Sequence, residues 1–391
     1  MEYRDQLKYI KSHPGKRVRI TAMDKMLWFL LIVTSGLLFF AMAIVGIFPM
    51  KYMAIALVIL VAIILFVKFQ QKRACRSRKK RSKGKGLAFV MIVIYLITSF
   101  YLARANQALD RIAIGEESGG YEEEHQIDVT KQPFNIYISG IDVYGEIEKE
   151  SRSDVNLVAT VNPNTHKILL TTTPRDYYVT IPGISGDQRD KLTHAGIYGI
   201  DASIATLENL YQTEIPFYVR VNFTSVIEIV DAMGGVDVES DLAFTTGKAA
   251  GAVVDIKEGK NHLNGKEALA FVRERKAFVD GDNQRGKNQQ ALLTALIKEM
   301  ISPMIVVEAN EIIRCVSGDT ETNMSEDQMK SILRMQLDDM KGWEIESVAA
   351  TGDSSGKQYC YSYSGKPLYV TVPDTSKVEE IGGKIREYLG E

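Results

Sequence analysis

Cysteine is scarce in this chain. Only Cys75, Cys315 and Cys360 occur in 391 residues, too few for a fold built on disulfides. No C-x-x-C is present, so zinc ribbons and thioredoxin-type chemistry are excluded. Cys315 and Cys360 either pair outside the membrane argued for below or stay free thiols. H-E-x-x-H, the P-loop and G-x-G-x-x-G are missing as well, which removes the commonest signatures of metalloproteases, nucleotide hydrolases and dinucleotide enzymes. With 46% apolar and 25% charged residues, wholesale disorder is also excluded.

Acidic residues are nearly absent from the first third. Residues 1–104 hold 19 Lys/Arg and 3 Asp/Glu, a net of +16, whereas residues 105–391 hold 28 and 46, a net of −18. That segregation suggests two compartments. The apolar runs beside the basic ones argue against a nucleic-acid-binding patch, and no nucleic-acid partner is expected. Met26–Met50, Tyr52–Val67 and Gly86–Ala103 carry no charge. A crossing helix needs about 20 apolar residues. Three crossings are expected, at about 26–48, 50–68 and 86–104; the second is short, but Lys51 and Lys68 can snorkel from its ends. Residues 1–25 hold seven Lys/Arg and residues 68–85 hold ten. The positive-inside bias makes both cytoplasmic, so everything after Arg104 is delivered outside. The 68–85 run reads first as a topology anchor, with anionic lipid headgroups as a further partner.

Residues 105–133 read as an acidic connector, and Glu116–Glu124 as a loop. Residues 134–391 form one alternating α/β stretch without repeats. Strands are expected at Phe134–Ile141, Asn156–Val161, Lys167–Thr173, Phe217–Asn222, Trp343–Thr351 and Leu368–Val372. Helices are expected at Asp201–Tyr211, from Ser225-x-x-Glu228 to Gly234-Gly235, at Asn283–Met300, from Ser325-x-x-Gln328 to about Lys341, and at Ser376–Leu389. Ala268–Arg275 is a strand or a short helix running into one. The pattern predicts a three-layer α/β domain with a central mixed sheet flanked by helices.

The chemistry concentrates in arginines beside short acidic motifs: Asp142, Ser151-Arg152-Ser153-Asp154, Pro174-Arg175-Asp176, Arg273-Glu274-Arg275 and Gly281-Asp282-Asn283-Gln284-Arg285. In an extended segment Arg273 and Arg275 share a face, which like charges avoid unless an anion lies between them. Asp282 is a natural N-cap for a helix from Asn283. Arg285 then falls in the first turn, against the helix dipole, with Gln289 one turn later. An anion held by Arg285 and the free N–H groups removes that conflict, and arginine suits phosphate because its planar fork binds oxygens bidentately. Asp142 and Asp154 beside such a cluster suit Mg²⁺ or, more simply, cap turns. His194, in Lys191-Leu-Thr-His194-Ala, reads first as a structural histidine.

The segments 135–145, 151–183, 191–200, 217–238 and 262–290 resemble a LytR-CpsA-Psr family domain. The ordered set R-S-D, P-R-D, K-x-x-H-A, R-x-R and G-D-x-x-R carries the resemblance, strongly over residues 134–300. Three preceding membrane helices resemble the capsule-type branch, although an accessory domain common in that branch is replaced here by the short connector. The resemblance implies a membrane-bound, extracytoplasmic enzyme of a Gram-positive bacterium. It would move an anionic glycopolymer, capsular or teichoic-acid-like, from a polyprenyl-pyrophosphate carrier to peptidoglycan with Mg²⁺. It also implies that Arg152, Arg175, Arg273, Arg275 and Arg285 hold the pyrophosphate, that Asp142 and Asp154 hold the metal, and that Gln289 assists. Lys191 and His194 fall in a family segment without a fixed role. Asn288 stands where many members have arginine and is left out of the site. A non-catalytic wall-polymer receptor and a hydrolase freeing the polymer are the competing readings. An enzyme acting on a polyprenyl carrier also has to shelter an apolar tail. The expected lining is Ile204, Leu207, Leu210, Phe217, Val219, Val226, Ile227 and Val230, with core packing as the alternative.

Overall fold

A computed structural model describes residues 20–76, 84–112, 127–141, 151–279, 281–300 and 320–391. It divides into two compact units, Met1–Asn106 and Gln107–Glu391.

The first unit is built on helices α1 (Ala22–Val45), α2 (Met50–Arg76) and α3 (Lys85–Ile112). All three are long and apolar enough to cross a membrane. The first begins earlier than its uncharged run because Thr21 and Asp24 form a capping box. The second does not stop at Lys68. Lys68 finds a partner on α1, its ammonium 3.9 Å from the Trp28 ring centroid. Gln71 Nε2 donates to the Asp24 carbonyl (3.1 Å) and Lys85 Nζ lies 3.3 Å from the buried Asp24 carboxylate. One end of each helix is thereby tied to the same acidic residue.

The second unit is a three-layer α/β domain. Its sheet uses β1 (Phe134–Ile141), β2 (Ser153–Asn162), β3 (Lys167–Thr172), β4 (Phe217–Val221), β7 (Thr320–Thr322) and β8 (Glu344–Ala349), in the order β7-β4-β1-β2-β3-β8. β1 and β4 are parallel, as are β3 and β8, while β2 is antiparallel to both its neighbours. Between β3 and β4 lies helix α4 (Ile200–Tyr211). After β4 come α5 (Phe223–Ala232), the two-stranded β5 (Val236–Ser240) with β6 (Gly259–Leu263), α6 (Gly265–Arg273) and α7 (Gly281–Met300). α8 (Glu326–Asp339) precedes β8, and α9 (Thr375–Leu389) ends the domain.

Alternation along the strands builds a core on each face. Tyr137, Val158 and Tyr218 pack with Leu207 of α4 and Ile381 of α9. The opposite face splits into Phe134, Phe217 and Met324 under α8, and Leu157 and Leu170 against Leu293 and Ile297 of α7. Val129 joins the first of these, so packing starts before β1. Two expected boundaries move for local reasons. α5 is capped by Asn222, whose box partner is Ser225, so Ser225 is the third helical residue rather than the cap. Arg273 ends a helix rather than lying in a strand, because the capping box Asn264–Glu267 starts α6 ahead of it. The box at Ser325–Gln328 forms as expected.

Candidate active site

The topology sets the site. β1, β3 and β4 run the same way, so their carboxyl ends share one edge of the sheet with the amino end of β2. That edge is where ligands gather in open α/β sheets. Arg152 and Asp154 open β2, Arg175 follows β3, and Phe223 follows β4 with the Arg273 guanidinium 4.3 Å from its ring centroid. Gly286 of α7 lies against the end of β3, where a Cβ would sit 3.6 Å from Thr172 Cγ2. Arg285 precedes it in α7, and Gln289, one turn beyond Arg285, is half-buried.

A β-bulge aims the R-S-D motif. Gly140 pairs with Val155, but Ile141 pairs with Ser153, skipping Asp154. The skipped residue reverses the alternation. Ser153 turns inward, its Oγ 3.0 Å from the Tyr137 hydroxyl and 2.9 Å from Ser139 Oγ. Asp154 is released to accept from Arg175 Nη1 at 2.7 Å through Oδ1. Arg152 is exposed.

Carboxylates on both sides hold Arg175. Its Nε lies 3.5 Å from Asp176 Oδ2, and Lys191 Nζ donates to Asp176 Oδ1 at 2.7 Å. The P-R-D segment is locked to K-x-x-H-A by backbone: Thr193 N–H donates to the Arg175 carbonyl and Leu192 N–H to that of Tyr177. Gly196 then packs so tightly under the Ser151 carbonyl that a Cβ there would collide with it. His194 is buried, with Nδ1 2.6 Å from Asp190 Oδ1 and 2.9 Å from Ser362 Oγ. Both partners address the same ring nitrogen, so this is not a Ser-His-Asp relay, which needs opposite nitrogens. Asp190 Oδ1 also accepts the Lys191 N–H at 2.7 Å, so the histidine's carboxylate partner fixes the backbone at Lys191. Burial pushes the Asp190 carboxyl up, but hydrogen bonds from His194 and Ser362 outweigh it and leave the group below its ordinary range.

The second arginine group is set by a residue to which the sequence reading gave no role. Glu274 is buried, and its carboxylate accepts four backbone N–H groups, from Gly247, Arg275, Lys276 and Ala277, at 2.5–3.1 Å. Burial raises this carboxyl, yet the four donors together bring it below the ordinary value. The acid between Arg273 and Arg275 is thus spent on the loop's backbone. The one signal in the sequence is an acid just ahead of a loop, whose N–H groups lie outside any ladder and need acceptors. α7 begins at Gly281, two residues before the expected Asn283, so Asp282 lies inside the helix rather than at its cap. Gly281 presses on the Arg275 carbonyl, where a side chain would collide. Asn288 is buried and donates to the Phe271 carbonyl at 3.0 Å, which suits its exclusion from the site.

Asp142 lies outside the described residues, as do Cys315 and the Asp282 side chain. Among the described residues no group of three or more His, Cys, Asp or Glu could hold a metal ion. Mg²⁺ needs less than that from the protein: one or two carboxylates, the rest being water and phosphate. Asp154, partly exposed and engaging Arg175 through Oδ1 alone, fits such a site.

The expected apolar slot is not one surface. Ile204, Leu207 and Leu210 belong to the core under α4 and α9, while Phe217 lies on the opposite face of the sheet against Phe134. Val219 shares the parity of Phe217, since Tyr218 points the other way. Val226 and Val230 belong to a third cluster with Phe271 and Leu292, and the Ile227 backbone packs on Gly265. The reading failed because adjacent strand residues face opposite layers.

Residues 100–375 match the LytR_cpsA_psr family. The polyisoprenyl-teichoic acid–peptidoglycan teichoic acid transferase TagU of Bacillus anthracis is 32% identical over 259 residues, 66% of this chain and 80% of its own length. The protein of the same name from Oceanobacillus iheyensis is 33% identical over 275 residues, 66% and 82% of the two chains. Among solved structures, TagV of B. subtilis superposes with a TM-score of 0.55 at 29% identity, covering 66% of this chain and 98% of that one. TagT bound to LI-WTA gives 0.54 at 25% identity, covering 72% and 100%. The chain belongs to the LytR-CpsA-Psr family.

Proposed function

We propose that this chain is a membrane-anchored phosphotransferase that moves an anionic glycopolymer from a polyprenyl-pyrophosphate carrier to peptidoglycan. What supports the reading is the run of arginine-bearing segments along one sheet edge: Arg152 just ahead of β2, Arg175 after β3 and paired with Asp154, and Arg273 on the Phe223 ring after β4. So many cations held together call for a polyanion, and a pyrophosphate fits their forks. The names of the Bacillus and Oceanobacillus relatives favour teichoic acid over capsular polysaccharide as the polymer.

In the reaction an acceptor hydroxyl attacks the phosphorus that bears the polymer. The new P–O bond makes a phosphodiester, the bond to the second phosphate breaks, and polyprenyl monophosphate leaves. The hydroxyl proton is lost to a base. Phosphoryl transfer is mainly positioning and charge stabilisation. Arg175, fixed between Asp154 and Asp176, is already oriented before substrate arrives. Arg273 and Arg275 are aimed by the loop that Glu274 organises, and they with Arg285 neutralise charge growing on the leaving phosphate. Asp154, with Asp142, would hold Mg²⁺, which when bound adds charge neutralisation at the phosphate oxygens.

The test uses the full chain in membranes with a lipid-linked donor and polymer-free peptidoglycan, with and without EDTA. Polymer fixed to peptidoglycan, and less of it with EDTA, is the expected result. Soluble polymer would instead mark a hydrolase, and no turnover a receptor. Donors carrying a teichoic or a capsular polymer, offered separately, decide the substrate.

A further inference from the structure

Tyr359, Tyr361, Tyr363 and Tyr369 are 63%, 41%, 45% and 41% exposed. They lie on one antiparallel hairpin, β9 (Lys357–Cys360) with β10 (Tyr363–Tyr369). Large rings left in water together, rather than singly, mark a binding surface. Between the first three, Cys360 is buried and Ser362 is bonded to Asp190 and His194.

The hairpin is held rigidly on the candidate active site. Tyr361 N–H donates to the Arg189 carbonyl at 3.1 Å, Ser362 N–H to Asp190 Oδ2 at 2.7 Å, and the Tyr178 hydroxyl to the Tyr359 carbonyl at 2.8 Å. Gly365 makes room for the Tyr363 ring, since a Cβ there would lie 3.3 Å from its Cζ. Lys191 joins the two surfaces: its ammonium is 5.9 Å from the Tyr369 ring centroid and 2.7 Å from Asp176, which adjoins Arg175. The tyrosines begin where the phosphate-holding edge ends.

We infer that this hairpin binds the glycan strand of the peptidoglycan acceptor. Pyranose rings carry apolar C–H faces that stack on aromatic rings, and tyrosine adds a hydroxyl for the sugar's own hydroxyls. A repeating polysaccharide engages several rings at once, so weak contacts multiply. Segment 357–369 contains Lys357 and Lys366 and no acid, which suits the carboxylates of peptide-bearing glycan. The donor's phosphates have their own arginine forks, whereas rings are the poorer match to a polyphosphate. The inference rests on the proposed function for its choice of a wall glycan as second substrate.

The test is co-sedimentation of the full chain, in detergent micelles, with purified peptidoglycan stripped of attached polymers. Polyprenyl pyrophosphate binding is measured separately. The variant Tyr359→Ala/Tyr361→Ala/Tyr363→Ala should lose peptidoglycan affinity by at least about tenfold, the scale of truncating one interface aromatic. Its polyprenyl pyrophosphate binding should not change, and the corresponding triple Phe variant should keep most of the peptidoglycan affinity. Wild-type sedimentation by the triple Ala variant would overturn the inference. If the triple variant unfolds, Tyr361→Ala alone is read in its place and should weaken sedimentation. Failure of the wild-type chain to bind polyprenyl pyrophosphate would instead count against the transferase reading alone.

Discussion

The two halves of the arginine edge are built by different means. Around Arg175 the order comes from side chains: Asp154, Asp176 and Lys191 form a chain of ion pairs. Around Arg273 and Arg275 it comes from backbone, with Glu274 collecting four N–H groups and Gly281 admitting the next helix. The first half keeps a guanidinium in place by matching its charge, which also costs some of its pull on substrate. The second half fixes the backbone from which Arg273 and Arg275 project, and the Arg273 guanidinium rests on the Phe223 ring.

If that division holds, the largest loss comes from the second half. The Arg275→Ala/Arg285→Ala double variant should lower transfer by at least ~10²–10³, the scale of removing a transition-state donor. Its unfolding temperature should change little, because neither residue is fully buried. Transfer at wild-type rate would reject the assignment.

Asp154→Asn comes next, and it sharpens the first half. The change removes the carboxylate that fixes Arg175 and the proposed metal ligand together. Transfer should fall by roughly 10–10² and recover in part as Mg²⁺ is raised. A Mg²⁺ titration curve identical to wild type would confine Asp154 to pairing with Arg175.

The sequence reached the two halves unequally. R-S-D, P-R-D and G-D-x-x-R are visible because charge beside charge is rare without a reason; period-2 alternation placed β1 and β-rich composition placed β3, almost to the residue. The bulge that turns Asp154 outward was not visible, since it depends on pairing with Gly140 and Ile141, which precede it by more than ten positions. Glu274 was hidden in plain view: a carboxylate between two arginines reads as their partner, and only the fold shows it serving backbone donors. The expected apolar lining falls into separate clusters for a related reason. Composition identifies apolar residues, but the layer each one faces follows from strand parity and helix docking.

Glu274→Gln separates the backbone-built half from the ion-paired half. Glutamine keeps the shape but loses the charge, and one end of it can no longer accept. With the amide oxygen kept on the three loop donors, the Gly247 N–H loses its partner, at about 1–3 kcal/mol. Stability should fall by that order, and KM for the donor should rise more than kcat falls, because Arg273 and Arg275 are misaimed rather than removed. The carboxyl is depressed in the folded state. Its contribution is therefore present above its unfolded value, ~4.3, and is lost as pH drops through the lower folded value. Unfolding measured from pH 6 to 3 should show this acid loss in wild type and a shallower one in the variant. An unchanged acid slope would mean that the four donors do not select the charged form.

The smallest effect is expected at Gly281. Alanine is a better helix former, and on propensity alone Gly281→Ala should stabilise α7. The contact with the Arg275 carbonyl opposes this, because it meets backbone that cannot swing away. Overpacking of this kind costs about 1–3 kcal/mol, more than the ~1 kcal/mol gained from propensity. The net change in unfolding free energy should be small and unfavourable. The shift should instead appear in function: moving the start of α7 away from the R-E-R loop separates Arg285 from Arg275, and pyrophosphate binding should weaken by a few fold. Asn288 and Gln290 still hold the rest of the helix, through the Phe271 and Val348 carbonyls, so the displacement stays local. Gly286→Ala is the control on the same helix, with only an ordinary 3.6 Å contact to Thr172. It should stabilise without weakening pyrophosphate. Equal behaviour of the two variants would show that the close approach at Gly281 has no part in setting the distance between Arg275 and Arg285.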